Sequence, residues 1–138
     1  MEVGNLIAGS AVSCLPSVSL RESATTMQSS EIGSVAVVER GNLLGIFTER
    51  DLLRALALGA DPDLEKVRDW MTADPDTIQP DLDVDEAAVW MMATGHRHLP
   101  VTNEAGDLVG IVSIKDVLWA MTELPVRRPS DARKVDSY

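Results

Sequence analysis

The sequence has little cysteine, few aromatic residues and no long apolar stretch. Of its 138 residues, one is cysteine and 4% are aromatic. A lone Cys14 excludes an internal disulfide, so we expect a reducing, cytoplasmic environment. No apolar run approaches the roughly 18 residues of a membrane helix, and no basic residue precedes an apolar stretch near the N-terminus. We therefore expect neither a membrane anchor nor a secretory signal.

Positive charge is scarce as well. The chain has 12 Lys and Arg residues against 22 Asp and Glu residues, a net charge of −10. Such a surface repels phosphate backbones, so we do not expect binding to nucleic acid across a broad face. Residues 125–138 are locally basic and rich in Pro, Ser and Asp, a composition that predicts a basic disordered tail.

The sequence contains no recognisable catalytic motif. It lacks the phosphate loop of nucleotide hydrolases, the nucleophile elbow of hydrolases and the paired histidines of metalloproteases. His96 and His98 alternate around Arg97 without further clustered ligands, which argues against a metal site. The acidic stretches 74–76 and 81–86 lack the loop pattern of a calcium hand and are interpreted as a solvated helix start. We do not expect an enzyme; a small enzyme acting on nucleotides would need a base or metal set that the sequence does not show.

An internal repeat organises the chain. A shift of 64 residues, which becomes 65 after Gly95, aligns its two halves, and eight of the 17 residues at 39–55 are then identical to their counterparts. The repeat predicts one unit at residues 3–58, a linker at 59–66 and a second unit at 67–124. Each half alone is marginal in size for a free domain.

Each unit has the same predicted order of elements, β-α-β-β-α. Strands are predicted at 34–38 and 43–47, with a turn at 41–42, and at 99–102 and 108–112. Capping residues and apolar spacing predict a helix after Ser19 and another after Asp83, and closing helices are predicted at 49–58 and 114–122. The fold class is therefore α+β, with tandem units packed as one pseudo-twofold domain.

One motif recurs where the second strand of the hairpin meets the closing helix. Residues 45–51 and 110–116 both have Gly, two apolar residues, a hydroxyl residue, two variable residues and Asp. The hydroxyl and carboxylate residues are Thr48 with Asp51, and Ser113 with Asp116. This spacing is that of a capping box, which would explain both side chains without a ligand. The duplication, the preceding Gly that leaves room for an approaching group, and the adjacent Arg50 and Lys115 favour a bound nucleotide. Capping and binding can coexist, because a ligand can use the groups that cap the helix.

The twin unit and this motif resemble a CBS-domain pair, also called a Bateman module. Further matching segments are residues 67–72, 77–78 and 95–101, and the resemblance covers about 3–124. It implies regulatory ligand binding rather than catalysis. AMP, ADP, ATP or S-adenosylmethionine would bind in clefts between the two units, with no cofactor required.

The resemblance also implies which residues hold such a ligand. Asp51 and Asp116 would bind the ribose hydroxyls, near Thr48 or Ser113, and Arg50, Lys115 and Arg97 would bind phosphate. The base would lie against Ser13 and Cys14 or against Thr77 and Ile78, and further walls would be Ser34 and Ala36, and His98, Leu99 and Pro100. The first half lacks the cations that the second half has at 96–98, so we expect the two clefts to differ.

Partners follow from the same resemblance. Family pairs associate through their helices, which implies a homodimer, and a chain without an effector domain would signal to a separate protein. The alternative is a dimeric scaffold that binds no ligand, in which the two motifs only cap helices.

Overall fold

The computed structural model describes residues 1–122, so the tail predicted at 125–138 lies outside the described residues. The first half contains β1 (Ser13–Cys14), α1 (Leu20–Ser30), β2 (Ser34–Glu39), β3 (Asn42–Thr48) and α2 (Glu49–Ala57). The second half contains β4 (Thr72–Ala73), α3 (Val84–Thr94), β5 (His98–Thr102), β6 (Leu108–Ser113) and α4 (Ile114–Met121). Short 3₁₀ turns at Val3–Leu6 and Val67–Asp69 precede the two halves. The predicted α+β class with repeated β-α-β-β-α units is confirmed.

Two sheets form the layers beneath the helices. In the first sheet the strand order is β1-β2-β3-β4, with β1 parallel to β2 and the other neighbours antiparallel. In the second sheet β5 pairs antiparallel with β6. Ile78 bridges Val101 in parallel and so occupies the place that β1 has in the first half. The first strand that the β-α-β-β-α order predicts for the second unit is thus reduced to a single bridge.

The first hairpin turns one residue earlier than predicted. Glu39 pairs with Asn42, so the two turn residues are Arg40 and Gly41, with φ of 53° and 79°. Positive φ at both central positions is the requirement of a type I′ turn, which matches the twist of the flanking strands. The position predicted at 41–42 is therefore wrong by one residue.

The predicted helix starts are present, with one difference in detail. The Ser19 hydroxyl accepts a hydrogen bond from the Glu22 N–H at 3.1 Å. The Asp83 carboxylate accepts from the Asp85 N–H at 2.9 Å, two residues further on, whereas Ser19 accepts from the residue three further on. Both caps satisfy backbone donors that the first helical turn leaves free.

The predicted apolar helix faces form two cores. Leu20 and Met27 of α1 are buried with Phe47 in the first core, whereas Val84 and Met91 of α3 are buried in the second. Burying a side chain of this size stabilises the fold by about 1.5–3 kcal/mol.

Each half begins with a segment that packs on the core of the other half, and we call these two the exchanged segments. Val3 and Ile7 pack in the second core, and Val67 and Met71 pack in the first. Backbone hydrogen bonds fix these segments, from the Val3 N–H to the Leu82 oxygen at 2.8 Å and from the Val67 N–H to the Val18 oxygen at 3.0 Å. The sequence repeat does not predict this exchange, because alignment of the halves says nothing about which core a segment joins.

The exchange explains the glycine that begins each motif. A Cβ atom at Gly45 would lie 2.6 Å from the Thr72 carbonyl oxygen and 2.6 Å from the Met71 sulfur. At Gly110 it would lie 2.7 Å from the Ile7 side chain. The sequence suggested that a ligand approaches these glycines. The structure shows instead that the exchanged segments do so.

Candidate ligand-binding site

The repeated motif of the first half forms a complete capping box at the start of α2. The Thr48 N–H donates to Asp51 Oδ2 at 2.9 Å, and the Asp51 N–H donates to Thr48 Oγ1 at 3.2 Å. The second half repeats this arrangement at α4, where Ser113 and Asp116 exchange the corresponding bonds at 3.0 and 3.1 Å. The capping interpretation of the motif is thus confirmed at both positions, and it leaves room for a ligand to use the same groups.

A cavity of about 640 Å³ opens beside the Thr48–Asp51 box. Its volume falls within the range of pockets that hold small molecules and cofactors. Three segments line it: the end of β3 with the start of α2, the exchanged segment around β4, and the loop that leads into β5. The lining residues are Ile46, Thr48, Glu49, Arg50, Asp51, Leu53, Thr72, Asp74, Pro75, Asp76, Gly95, His96, Arg97, His98, Leu99 and Pro100. The cavity therefore lies between the two halves, and both contribute to it.

Side chains around the cavity already pair with one another. The second carboxylate oxygen of Asp51, Oδ1, lies 3.7 Å from the Arg54 guanidinium. His96 Nε2 lies 3.5 Å from Asp76 Oδ2 at the rim. The Arg97 carbonyl accepts the Ile114 N–H at 2.7 Å, so the start of α4 holds the loop that carries Arg97.

Arg54 also ties the exchanged segment to α2. Its guanidinium lies 5.4 Å from the centre of the Trp70 ring and donates to the Trp70 carbonyl at 3.1 Å. The Trp70 indole N–H donates in turn to Glu65 Oε1 at 3.0 Å. These contacts position the chain just before Thr72, where it begins to line the cavity.

His98 lies where the two halves meet. A Cβ atom at Gly33 would be 3.2 Å from His98 Nε2 and 3.0 Å from Glu49 Oε1, so both side chains end against Gly33. Burial lowers the pKa of His98 below its usual value; Glu49 and Asp116 oppose that shift, and Arg97 adds to it. The neutral imidazole is therefore favoured over the charged form more than in an exposed histidine.

The cavity gathers some of the residues expected from the sequence and leaves others elsewhere. It brings together Thr48, Arg50, Asp51, Arg97, His98, Leu99 and Pro100. The remaining expected residues lie outside its lining: Ser13, Cys14, Ser34, Ala36, Thr77, Ile78, Ser113, Lys115 and Asp116.

Two of the residues outside the cavity contribute to the cores. Ile78 is 4% exposed and belongs to the second core, and Cys14 packs against the first. Burial, together with Glu22, raises the pKa of the Cys14 thiol to about 11, while Ser23 opposes the shift. Cys14 therefore serves as a small apolar side chain against the first core.

Several lining residues were not expected from the sequence. Asp74 and Asp76 are exposed, as expected, but they follow β4 and line the cavity, so only 81–86 is the start of a helix. Glu49 was treated as a variable position of the motif and also lines the cavity. The exchange of leading segments brings 72–76 to α2, and no signal within the repeat reveals it.

Residues 1–122 contain neither a metal-binding cluster nor a membrane-spanning helix. There, no three His, Cys, Asp or Glu side chains are grouped so that they could hold a metal ion. Among these residues, no helix has both the length and the apolar character needed to cross a membrane.

Comparison with known proteins identifies the family to which this chain belongs. The model of the CBS domain matches residues 3–58 and again residues 67–123. The chain belongs to the CBS domain family. A relative from Methanopyrus kandleri, an uncharacterized protein, is 35% identical over 120 residues, 86% of this chain and 61% of its own length. The chain spans 61 to 66% of the length of the curated relatives it matches first.

Solved structures of CBS domains share the fold. A CBS domain protein from Pyrobaculum aerophilum, complexed with AMP, is 29% identical with a TM-score of 0.78, over 84% of this chain and 89% of that one. The CBS domain pair of protein MJ0100, in complex with 5′-methylthioadenosine and S-adenosyl-L-methionine, is 25% identical with a TM-score of 0.80, over 87% of this chain and 94% of that one. Relatives of this chain thus bind adenosine-containing ligands.

Proposed function

We propose that this protein is a regulatory module that binds an adenosine-containing nucleotide in the cavity beside Asp51. The single observation that carries the proposal is the composition of that cavity. It joins the Thr48–Asp51 box to Arg50 on one wall and Arg97 on the other. In the proposed complex the Asp51 carboxylate accepts the ribose hydroxyls, and the two guanidinium groups bind phosphate.

The asymmetry of the chain supports the Asp51 cavity as the principal of the two predicted clefts. The loop before β5 supplies Arg97 and two histidines to it, whereas the counterpart loop of the first half has Ile32 and Gly33. A cleft at Asp116 would have Lys115 without these cations. We therefore propose that Asp116 serves chiefly as a cap.

The proposed output is a change in the arrangement of the two halves. A ligand in the cavity would contact α2 of the first half and the β5 loop of the second, and would favour the arrangement in which both contacts are made. The population of that arrangement would rise with ligand concentration. A separate effector protein would read it, and the lone, partly buried cysteine is consistent with a cytoplasmic setting.

We also propose a homodimer formed through the outer faces of α3 and α4. Val89 and Met92 of α3 are 66% and 78% exposed, and Leu118 and Met121 of α4 are 56% and 42% exposed. Large apolar side chains grouped on one face are typical of an interaction surface. Sedimentation of Met92→Glu beside the unchanged protein tests this proposal: a shift to monomer supports it, and a monomeric unchanged protein refutes it.

Calorimetric titration of nucleotide-free protein with AMP and with adenosine tests the binding proposal. We expect micromolar affinity for AMP, equivalent to about −8 kcal/mol. Arg97→Gln should lower the affinity for AMP by about tenfold and the affinity for adenosine far less, because only AMP carries a phosphate. Arg68→Gln is the matched control, since Arg68 is exposed and does not line the cavity. If neither compound binds to folded protein, the alternative of a scaffold without a ligand replaces this proposal.

A further inference from the structure

The lining of the cavity has more negative than positive side chains, which does not suit a polyphosphate. Four carboxylates line it, from Glu49, Asp51, Asp74 and Asp76, against two guanidinium groups, from Arg50 and Arg97. Arg54, outside the lining, lies 3.7 Å from Asp51 Oδ1 and offsets part of the charge of that one carboxylate. Burial disfavours the charged form of His98, and His96 Nε2 lies 3.5 Å from Asp76 Oδ2, so any charge on His96 would be balanced by that carboxylate. Within residues 1–122, the lining offers no lysine and no third arginine.

The positions of these charges matter as much as their number. Asp51 is held by the Thr48 N–H and hydroxyl at 2.9 and 3.1 Å, so its negative charge is fixed at the wall that would hold ribose. Asp74 and Asp76 stand on the exchanged segment, and Glu49 directly precedes Arg50. A chain of phosphates that extends past the two arginines would therefore meet carboxylates.

We propose that the cavity selects adenosine ligands by charge, accepting a monophosphate or a sulfonium nucleoside and disfavouring a triphosphate. A single terminal phosphate carries about −1.5 to −2 charge, which two guanidinium groups can balance. Each further phosphate adds negative charge without a further cation to receive it. This inference rests on the proposed nucleotide site and names the ligand class of that site.

Glu49 and Asp76 are the specificity-determining residues in this proposal. Neither belongs to the Thr48–Asp51 box or to the arginine pair, so each can lose its charge while the proposed contacts to AMP remain. Their side chains reach the cavity from opposite halves, which makes them independent probes of the same repulsion. Asp85 and Glu86 at the exposed start of α3 lie outside the cavity and provide matched controls of equal charge change.

Calorimetric titration with AMP, ADP, ATP and S-adenosylmethionine, at low salt, pH 8 and with EDTA, tests the selection. We expect affinity to fall in the order AMP, ADP, ATP, with about tenfold or more between the first and the last, and S-adenosylmethionine to bind more tightly than ATP. Asp76→Asn and Glu49→Gln should each reduce the AMP-to-ATP ratio by about threefold, whereas Asp85→Asn and Glu86→Gln should leave it unchanged.

The ratio is measured within each variant, so a variant that loses some stability still reports on selectivity. ATP binding as tightly as AMP, or a ratio that Asp76→Asn and Glu49→Gln leave unchanged, would overturn the charge selection while the nucleotide site itself stands. Absence of binding by all four ligands to folded protein would instead remove the proposed function, and the selection with it.

Discussion

Asp51 Oδ2 accepts two hydrogen bonds from Thr48, from the backbone N–H at 2.9 Å and from the hydroxyl at 3.1 Å. The same carboxylate therefore caps α2 and faces the cavity between the two halves. Its other oxygen, Oδ1, lies 3.7 Å from Arg54 and is the atom better placed for a further partner. Oδ2 thus caps the helix, whereas Oδ1 is the oxygen proposed to bind the ligand.

Removal of the Thr48 hydroxyl should lower stability and ligand affinity together. We expect Thr48→Ala to reduce the free energy of unfolding by about 1 kcal/mol, because the Asp51 N–H loses its acceptor. Without the hydroxyl, Asp51 is less well oriented, and AMP should bind about threefold more weakly. Urea unfolding and calorimetry measure the two effects. Ser113→Ala is the control: it should cost similar stability at α4 and leave AMP affinity unchanged, and equal losses of affinity in both variants would contradict the account.

The two motif glycines should differ in how a methyl group can be accommodated. Gly45→Ala would place its Cβ 2.6 Å from a backbone oxygen of Thr72, whereas Gly110→Ala would meet the Ile7 side chain. We expect Gly45→Ala to lower the free energy of unfolding by about 1–3 kcal/mol. A double-mutant cycle checks the cause: Ile7→Ala should partly relieve Gly110→Ala by about 0.5 kcal/mol or more, whereas Met71→Ala should relieve Gly45→Ala less, because the contact with the Thr72 carbonyl oxygen remains. Equal relief in both pairs would contradict the exchanged-segment geometry.

His98 should make the ligand-free protein less stable in mild acid. Burial lowers its pKa in the folded state, so the unfolded chain binds the proton more readily. The free energy of unfolding should therefore fall as the pH drops below about 6.5, the ordinary value for histidine, and stop falling through this group once the pH passes its lowered pKa. Urea unfolding at a series of pH values should show a shallower acid decline for His98→Gln. His96→Gln serves as the control, since His96 is exposed. If His98→Gln loses stability in acid as steeply as the unchanged protein, His98 is not the group responsible.

Cys14 should be slow to react in the folded protein. Its pKa of about 11 leaves little thiolate at pH 8. Alkylation by iodoacetamide should therefore be slower by about one to two orders of magnitude in buffer than in urea, since the thiolate is the reacting form. The chain has one cysteine, so mass spectrometry assigns the product without a variant. Equal rates in the two conditions would show that burial does not protect the thiol.

Much of the fold could be predicted because the halves repeat local signals. The spacing of Leu20 and Met27, the caps at Ser19 and Asp83, and the paired motifs each specify an element from nearby residues alone. The exchange of Val3 and Val67 between the cores could not be predicted, since it depends on contacts across the whole chain. For that reason the sequence indicated the wall formed by Thr48 and Asp51 but missed the one formed by Asp74 and Asp76.

The central claim is that the cavity beside Asp51 binds the nucleotide, and the titration of Asp51→Asn and Asp116→Asn with AMP tests it most directly. An asparagine oxygen can still accept the hydrogen bond that caps each helix, so both variants should fold. We predict that Asp51→Asn lowers the affinity for AMP by about tenfold or more, because a charge-assisted bond to ribose is lost. The affinity of Asp116→Asn for AMP should stay within about twofold of that of the unchanged protein. Loss of affinity in Asp116→Asn with Asp51→Asn unaffected would contradict the account.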